Sequence, residues 1–314
     1  MAGIDTNQLR SAFVAETVAG TTNATPAFNT MHVPASRKAG PTRSHQGSLV
    51  AGGALVGDVL LTNKSELSIS NAPLVYGLYD PLLETLFQGT WATNVLKDAK
   101  AFKTVTVENS TLAGIGGTRT YWRDRGVRGI GAKLEMAADK TMQFSMDMMG
   151  LTTEAATTTA IAGATYTDPT ANNEFSAAVD LGVVTLAGFT LDGIMSLSFD
   201  FAFDGIEGQA QSGTTLYGIT PGAFRPTVKL RAYVDANFKA MYDAARSATA
   251  QTPALFTANF GSVTLNKYKI ELPKCTVDMA DLDFSGSTAF HDITLTAGYS
   301  TSDVAVMKWT RAIA

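Results

Sequence analysis

Hydrophobic and polar residues alternate with a period of two along much of the chain. The clearest run is residues 195–204, where Met195, Leu197 and Phe199 open one face and serines and aspartates occupy the other. Residues 142–148 repeat the pattern, and shorter runs occupy residues 104–108, 133–136, 227–233, 262–272 and 292–298. Strands that are buried on one side of an antiparallel sheet have this period. The pattern predicts a mostly β protein.

Two segments have helical spacing instead. Asp80 is placed to cap the first helix, Pro81 suits its first turn, and Gly89 is placed to end it. Asp235 is placed to cap a second helix whose apolar positions recur through residue 245. The caps are 155 residues apart in a chain of 314, an offset that predicts a tandem duplication. We therefore expect two units, 1–155 and 176–314, joined by a Thr- and Ala-rich linker at 156–175.

Composition narrows the classes of function. Only 17% of residues are charged, against about 25% in typical soluble domains, which suits a subunit that is packed against others. The net charge of -4 argues against a protein that binds nucleic acid by neutralising phosphates. The longest apolar run, residues 49–57, is too short to span a membrane, and the first residues contain no secretory signal, so we expect production in the cytoplasm.

Candidates for chemistry are few. His32, His45 and His291 are widely separated and lie in no catalytic motif, and the single cysteine, Cys275, can form neither an internal disulfide nor a thiolate metal site. Asp278, Asp281 and Asp283 miss the spacing of a calcium loop, so we interpret them as a solvated strand edge. We therefore predict no catalytic, cofactor-binding or metal-binding residues, and no enzyme.

A charged cluster follows Tyr121 and Trp122. Its members are Arg123, Asp124, Arg125 and Arg128. Aromatic and basic residues together suit a surface on which nucleic-acid bases stack. Because the chain as a whole is acidic, we favour salt bridges between subunits as the role of these four residues.

Several stretches resemble one family, the tail tube proteins of tailed bacteriophages. The opening ETVAGTTNATPAF (16–28) and the helix region YGLYDPLLETLFQGTWATNVLK (76–97) are similar to the family's, and the second stretch is the specific one. The likeness continues through 128–135, QFSMDMMG (143–150), LDGIMSLSFD (191–200) and GITPG (218–222). The strand end at 200–204 and residues 37–53 depart from the family pattern, which affects one loop and the N-terminal arm.

The resemblance implies a β-sandwich unit with one flanking helix, repeated around a ring that closes into a β-barrel. Rings would stack into the hollow tube through which phage DNA leaves, without binding it specifically. The implied partners are further copies of the chain, the tape measure protein, the tail terminator and distal tail proteins, with no membrane. The implied location is the virion tail, assembled in the host cytoplasm. Siphophages and phages with contractile tails both remain open as sources.

With two units per chain, a ring of six units needs three chains. We favour such a pseudo-hexameric homotrimer over a homohexamer. Polar strand faces that contain Glu135, Asp147 and Asp200 are our candidates for the lumen, because an acidic lining repels DNA phosphates. The alternative function is a β-sandwich module that binds carbohydrate or a receptor, in which Trp91 or Trp122 would stack on a sugar. A hydrolase with a diffuse Asp and His site lacks any nucleophile pattern.

Overall fold

The computed structural model describes residues 8–45, 58–112, 117–138, 140–169, 174–210, 216–234, 238–247, 253–283 and 288–313. The chain is 59% strand and 7% helix, which confirms the predicted mostly β class. The strands are β1 (Arg10–Ala15), β2 (Ala27–Thr30), β3 (Ser36–His45), β4 (Asp58–Pro73), β5 (Val95–Lys97), β6 (Val105–Leu112), β7 (Arg119–Ala137), β8 (Gln143–Gly150), β9 (Thr152–Thr153), β10 (Thr165–Thr167), β11 (Leu181–Leu186), β12 (Phe189–Leu191), β13 (Ile194–Phe203), β14 (Ile206–Ala210), β15 (Leu216–Pro221), β16 (Phe224–Tyr233), β17 (Ala254–Phe260), β18 (Tyr268–Asp283), β19 (Phe290–Ala297) and β20 (Lys308–Arg311). The helices are α1 (Asp80–Phe87), α2 (Ala177–Asp180) and α3 (Phe238–Arg246).

Eight strands form one continuous antiparallel layer, which we call the main sheet. Their spatial order is β3, β4, β8, β7, β13, β16, β19 and β18. The first four strands come from the N-terminal half of the chain, and the last four come from the C-terminal half. Direct pairing of β7 with β13 joins the halves, from Ala132 opposite Phe201 to Ala137 opposite Ser196. The sheet is open and does not close into a barrel.

The long strands β7 and β18 bend out of the main sheet and form a second layer. The first part of β7 pairs with β6, which continues to β1, β2 and β10, while β9 pairs on the other side of β7. The first part of β18 pairs with β17, which continues to β11 and β12, while β20 and then β5 follow on the other side. Each long strand therefore links the two layers.

The same order of elements occurs twice along the chain. The series β1, β2, β3, β4, α1, β6, β7, β8 is matched in pairing by β11, β12, β13, β16, α3, β17, β18, β19. Even the irregularities agree, since the register shifts between Gly129 and Gly131 in β7 and between Val277 and Met279 in β18. The hairpin of β14 and β15 has no described counterpart in the first half.

The helix α1 lies in a core to which both halves contribute. Its leucines Leu82, Leu83 and Leu86 are buried, and the Phe87 ring packs edge-on against Phe201 at 5.7 Å between centroids. A stripe of three leucines at helical spacing, preceded by Pro81, explains why this segment leaves the β pattern. The predicted helix is confirmed, with its end at Phe87.

The predicted caps of α1 are wrong. Tyr79 occupies the N-cap position and no side chain caps the helix; the Asp80 carboxylate instead accepts hydrogen bonds from Tyr268 Oη at 2.7 Å and from Arg311. At the other end Gln88, with φ of 54°, is the left-handed residue. Gly89 is needed for a different reason, because a Cβ there would overlap the carbonyl oxygen of Lys97 on β5.

Other boundaries differ from the sequence expectation as well. The helix α3 begins at Phe238, and its predicted cap, Asp235, lies outside the described residues. The predicted linker 156–175 contains β10, which pairs in parallel with β2 and so belongs to the second layer. The run predicted at 262–272 is a turn up to residue 267, followed by a strand that continues to Asp283. None of the helices in the described ranges is long and apolar enough to cross a membrane.

Candidate functional site

The main sheet has one apolar face and one polar face. The apolar face carries buried side chains such as Leu134, Met146 and Phe199, which pack in the core. On the polar face Asp200 of β13 lies directly opposite Lys133 of β7, and Asp147 of β8 lies opposite Gly131 of β7. Glu135, two residues after Lys133, therefore shares this face with both aspartates. The structure brings together all three residues that we proposed for the lumen.

The polar face carries charges of both signs. Its acidic residues with described side chains are Glu66, Glu135, Asp147, Asp200, Asp283 and Asp292, and its basic ones are Lys38, Lys133, Arg225, Lys229 and Arg231. Lys133 Nζ lies 2.5 Å from Glu135 Oε1. Among the described residues, Asp147 and Asp200 form no ion pair, and both border a hollow of about 470 Å³. The described part of this face has no basic patch of the kind that holds DNA phosphates.

Three of the four clustered charges at the bend of β7 form ion pairs within the chain. Arg123 Nε lies 2.8 Å from Glu108 Oε2, and both side chains are buried. Asp124 accepts a hydrogen bond from Arg37 Nε at 2.6 Å, and Arg125 pairs with Glu154. These contacts tie β7 to β6, β3 and the segment after β9. Salt bridges from this cluster to another subunit remain a prediction.

Arg128, the fourth member, has no carboxylate partner among the described residues. Only 3% of the residue is exposed, and its Nη1 donates to the carbonyl of Ile219 at 3.2 Å. No residue that the structure describes accepts a hydrogen bond from its Nε or Nη2, and the guanidinium carbon lies 5.3 Å from the centre of the Phe102 ring. Burial lowers the pKa of Arg128 to about 10, so the group remains charged at neutral pH. Arg128 borders a cavity of about 870 Å³ and has donors to offer an incoming group.

Both ends of the main sheet are free edges in the described structure. At one end β3 pairs only with β4, and at the other end residues 277–283 of β18 pair only with β19. An unpaired edge presents a row of backbone donors and acceptors to any strand that fits it. Sequence reasoning interpreted Asp278, Asp281 and Asp283 as a solvated strand edge and assigned no function to them.

A comparison with protein families decides what kind of protein this is. The family model described as "Phage tail tube protein" matches residues 6–304, nearly the whole chain. The chain belongs to the phage tail tube protein family. The resemblance seen in the sequence is thereby confirmed. A search of the curated proteins found no match to it.

Membership gives the chain a structural role in the bacteriophage virion. Tail tube proteins are components of the virion tail that assemble with further copies and with other tail proteins into a tube. The family is structural and not enzymatic. The described residues contain no group of three or more histidine, cysteine, aspartate or glutamate side chains placed to hold a metal ion.

Glu16 opens the first stretch that resembles the tail tube family, residues 16–28, and it holds this part of the chain in place. The Glu16 carboxylate accepts hydrogen bonds from Thr104 Oγ1 at 2.6 Å, from Thr106 Oγ1 at 2.7 Å and from the backbone of Gly20 at 2.7 Å and Gly126 at 3.0 Å. One side chain therefore closes the turn after β1 and fastens it to β6 and to the bend of β7. Sequence reasoning quoted this residue but assigned no role to it, because its partners are distant in the chain.

Trp91, one of the two tryptophans proposed for the sugar-binding alternative, is engaged within the tail tube subunit. Its indole N–H donates to the carbonyl of Asp80 at 3.3 Å, and the Arg311 guanidinium carbon lies 4.5 Å from the ring centroid. The guanidinium therefore covers one face of the indole ring. This contact joins the turn after α1 to the last strand.

Proposed function

We propose that this tail tube protein forms rings of three chains, which stack into the hollow conduit for DNA ejection. The observation that carries the proposal is the open main sheet, with a polar face and two free edges. Pairing of edges around a ring would satisfy their backbone groups and remove the aggregation liability of an exposed edge. The apolar face and α1 would lie outside the barrel, and the polar face would line the lumen.

The repeated order of elements supports two equivalent tube units within each chain. Under this proposal the units are 1–155 and 176–314, and residues 156–175 connect them. The internal pairing of β7 with β13 would then be a covalently linked version of a contact between neighbouring units. Three chains supply six units, so the ring is pseudo-hexameric.

The number of strands in each chain would set the width of a lumen closed by edge pairing. Each main sheet contributes eight strands. With strands about 4.8 Å apart, three chains give a backbone circle about 37 Å across, or about 48 Å at a typical strand tilt. Side chains extending about 5 Å from each wall leave roughly 27–38 Å. Two chains would leave only about 14–22 Å.

Charge on the polar face supports passage of DNA without retention. Glu135, Asp147 and Asp200 would face the lumen, where carboxylates repel phosphates. The tape measure protein would fill the lumen before DNA does, and the terminator and distal tail proteins would close the two ends. Assembly would take place in the host cytoplasm.

Mass measurement in solution combined with negative-stain electron microscopy tests this function. The expected result is a ring or tube whose unit mass is three times 33.1 kDa, with no DNA retained at moderate salt. Rings of six chains would overturn the stoichiometry. A monomer that never polymerises, even when distal tail proteins are added as nuclei, would favour the binding module, and glycan arrays would be the next experiment.

A further inference from the structure

The internal junction between β7 and β13 serves as a template for the two free edges. At that junction the strands run antiparallel, with Lys133 directly opposite Asp200 and both side chains on the polar face. The flanking pairs, Ala132 with Phe201 and Leu134 with Phe199, lie on the apolar face. Residues of opposite charge therefore lie across this junction, with the Lys133 ammonium bound to Glu135 rather than to Asp200.

The bulges in β7 and β18 identify the residue that corresponds to Lys133. In β7 pairing with β8 resumes after the bulge at Gly131, and in β18 pairing with β19 resumes at Met279. Two residues beyond each of these positions are Lys133 in β7 and Asp281 in β18. Asp281 thus occupies on the free edge the position that Lys133 occupies at the internal junction.

A chain of paired residues identifies the counterpart of Asp200. Asp200 pairs with Thr227, which pairs with Thr296 of β19. In the first half Lys38 of β3 pairs with Glu66, which pairs with Met149 of β8. Met149 of β8 belongs to the second pair before the bulge in β7, and Thr296 of β19 belongs to the second pair before the bulge in β18. Met149 and Thr296 therefore correspond. Lys38 thus occupies on the β3 edge the position of Asp200.

We propose that the β18 edge of one copy pairs antiparallel with the β3 edge of the next copy, with Asp281 opposite Lys38. The proposal rests on the proposed ring and adds its register. The charges are reversed relative to the internal junction, since the lysine lies on β7 inside the chain and on β3 between chains. In this register Ala280 faces Ala39 and Asp283 faces Ser36.

Charge around the β18 edge favours a lysine from outside. Asp281 lies directly opposite Asp292 of β19, and like charges in that relation are unfavourable. Asp292 already shares Arg231 with Asp283, at 2.9 Å and 2.5 Å respectively. The β18 edge therefore brings three aspartates, 281, 283 and 292, to neighbouring positions of two paired strands.

Lys38 is available as the partner of this edge. It is exposed and forms no ion pair with any residue that the structure describes. Beside Asp281 it would complete a row of alternating charge across the junction. A slip of one residue in either direction would place Lys38 and its new partner position on a different face from Asp281. The proposed register is therefore distinguished from these two alternatives because it places both charges on the same face.

Cysteine cross-linking tests the register directly. The double variant Lys38→Cys with Asp281→Cys should give disulfide-linked dimers and trimers on a non-reducing gel, because the two cysteines of one chain lie at opposite ends of its main sheet. The native Cys275 does not interfere, since it is buried and burial raises its pKa to about 12. The matched control is Lys38→Cys with Leu282→Cys, whose second cysteine faces the other side and should give no ladder. Lys38→Cys with Asp283→Cys reports a slip of two residues.

Charge reversal provides a second measurement that needs no disulfide. Lys38→Asp should raise the concentration needed for ring formation, by about fivefold at each junction, and adding Asp281→Lys should restore it. Circular dichroism checks that every variant folds. If the wild type forms three-chain rings but neither the ladder nor the rescue appears, the register is wrong while the ring stands. If the wild type never forms rings, both proposals fail.

Discussion

Two buried arginines on β7 should respond in opposite directions to the same substitution. Arg128 and Arg123 are 3% and 5% exposed, and within the described ranges only Arg123 has a buried carboxylate partner, Glu108. Replacement by methionine keeps much of the hydrophobic stem and removes the charge. We expect Arg128→Met to stabilise the unassembled subunit and Arg123→Met to destabilise it.

The magnitudes follow from the surroundings of each guanidinium. A pKa that falls from 12.5 to about 10 corresponds to about 3 kcal/mol of unfavourable interaction for the charged Arg128. Loss of the hydrogen bond from Arg128 to the Ile219 carbonyl costs about 1 kcal/mol. Arg128→Met should therefore raise the free energy of unfolding by about 1–2 kcal/mol. Arg123→Met would leave Glu108 buried with its hydrogen bond from Tyr166 and no cation, at a cost of about 3–5 kcal/mol.

Urea unfolding of the unassembled subunit, followed by circular dichroism, measures both variants under one condition. The midpoint should rise for Arg128→Met and fall for Arg123→Met, with unchanged slopes. Destabilisation of Arg128→Met by as much as Arg123→Met would refute the reasoning, because it would mean that Arg128 has a partner in the subunit. If Arg128 pairs with a carboxylate of another subunit after assembly, the Arg128→Met variant should assemble poorly although its unassembled subunit is more stable.

Three further outcomes follow from the buried contacts. Tyr268→Phe removes a hydrogen bond to the buried Asp80 and should lower the free energy of unfolding by about 1–3 kcal/mol, whereas the exposed control Tyr233→Phe should leave the urea midpoint unchanged. Cys275, whose pKa burial raises to about 12, should resist iodoacetamide at pH 8 in the native state and react in urea, as mass spectrometry would show. Glu16→Gln should lower the thermal midpoint, since an amide cannot accept all four hydrogen bonds that the carboxylate receives.

The elements that sequence reasoning predicted are those with strong local patterns. The alternation of β13 and the leucine stripe of α1 are each contained in about ten residues, and both elements form where expected. The role of Asp80 was missed because its partners Tyr268 and Arg311 are distant in the chain. Local capping propensity gives no information about such contacts.

The extent of β18 was missed for a different reason. Pro273 follows Leu272 and normally ends a run of strand residues, because proline cannot donate to the ladder. In the structure it lies where the pairing with β17 becomes irregular, between the partners of Leu272 and Cys275, so the strand continues past it. The bulge before Met279 then shifts the alternation by one residue. Both irregularities hid the continuity of β18, so the strand edge recognised at Asp281 was not connected to the run that ends at Leu272.

The lumen candidates illustrate the limit of pattern reasoning. Alternation alone separates polar from apolar faces, so Glu135, Asp147 and Asp200 could be selected without a structure. Their presence on one face of one sheet depends on the pairing of β7 with β13, which joins residues from different halves. No local signal specifies that pairing, although the opposite charges of Lys133 and Asp200 are consistent with it.

The reversal of charge between the two junctions also explains how such a chain would avoid wrong closures. If the internal and external junctions carried the same arrangement, β18 could compete with β7 for β13, and β3 could compete with β13 for β7. With the proposed register, the first error would set Asp281 against Asp200, and the second would set Lys133 against Lys38. Each error places two like charges opposite each other where the correct pairing has opposite charges, at a cost of up to about 1 kcal/mol per pair. Discrimination of this kind acts on the choice of partner, because specificity depends on the difference between correct and incorrect pairing.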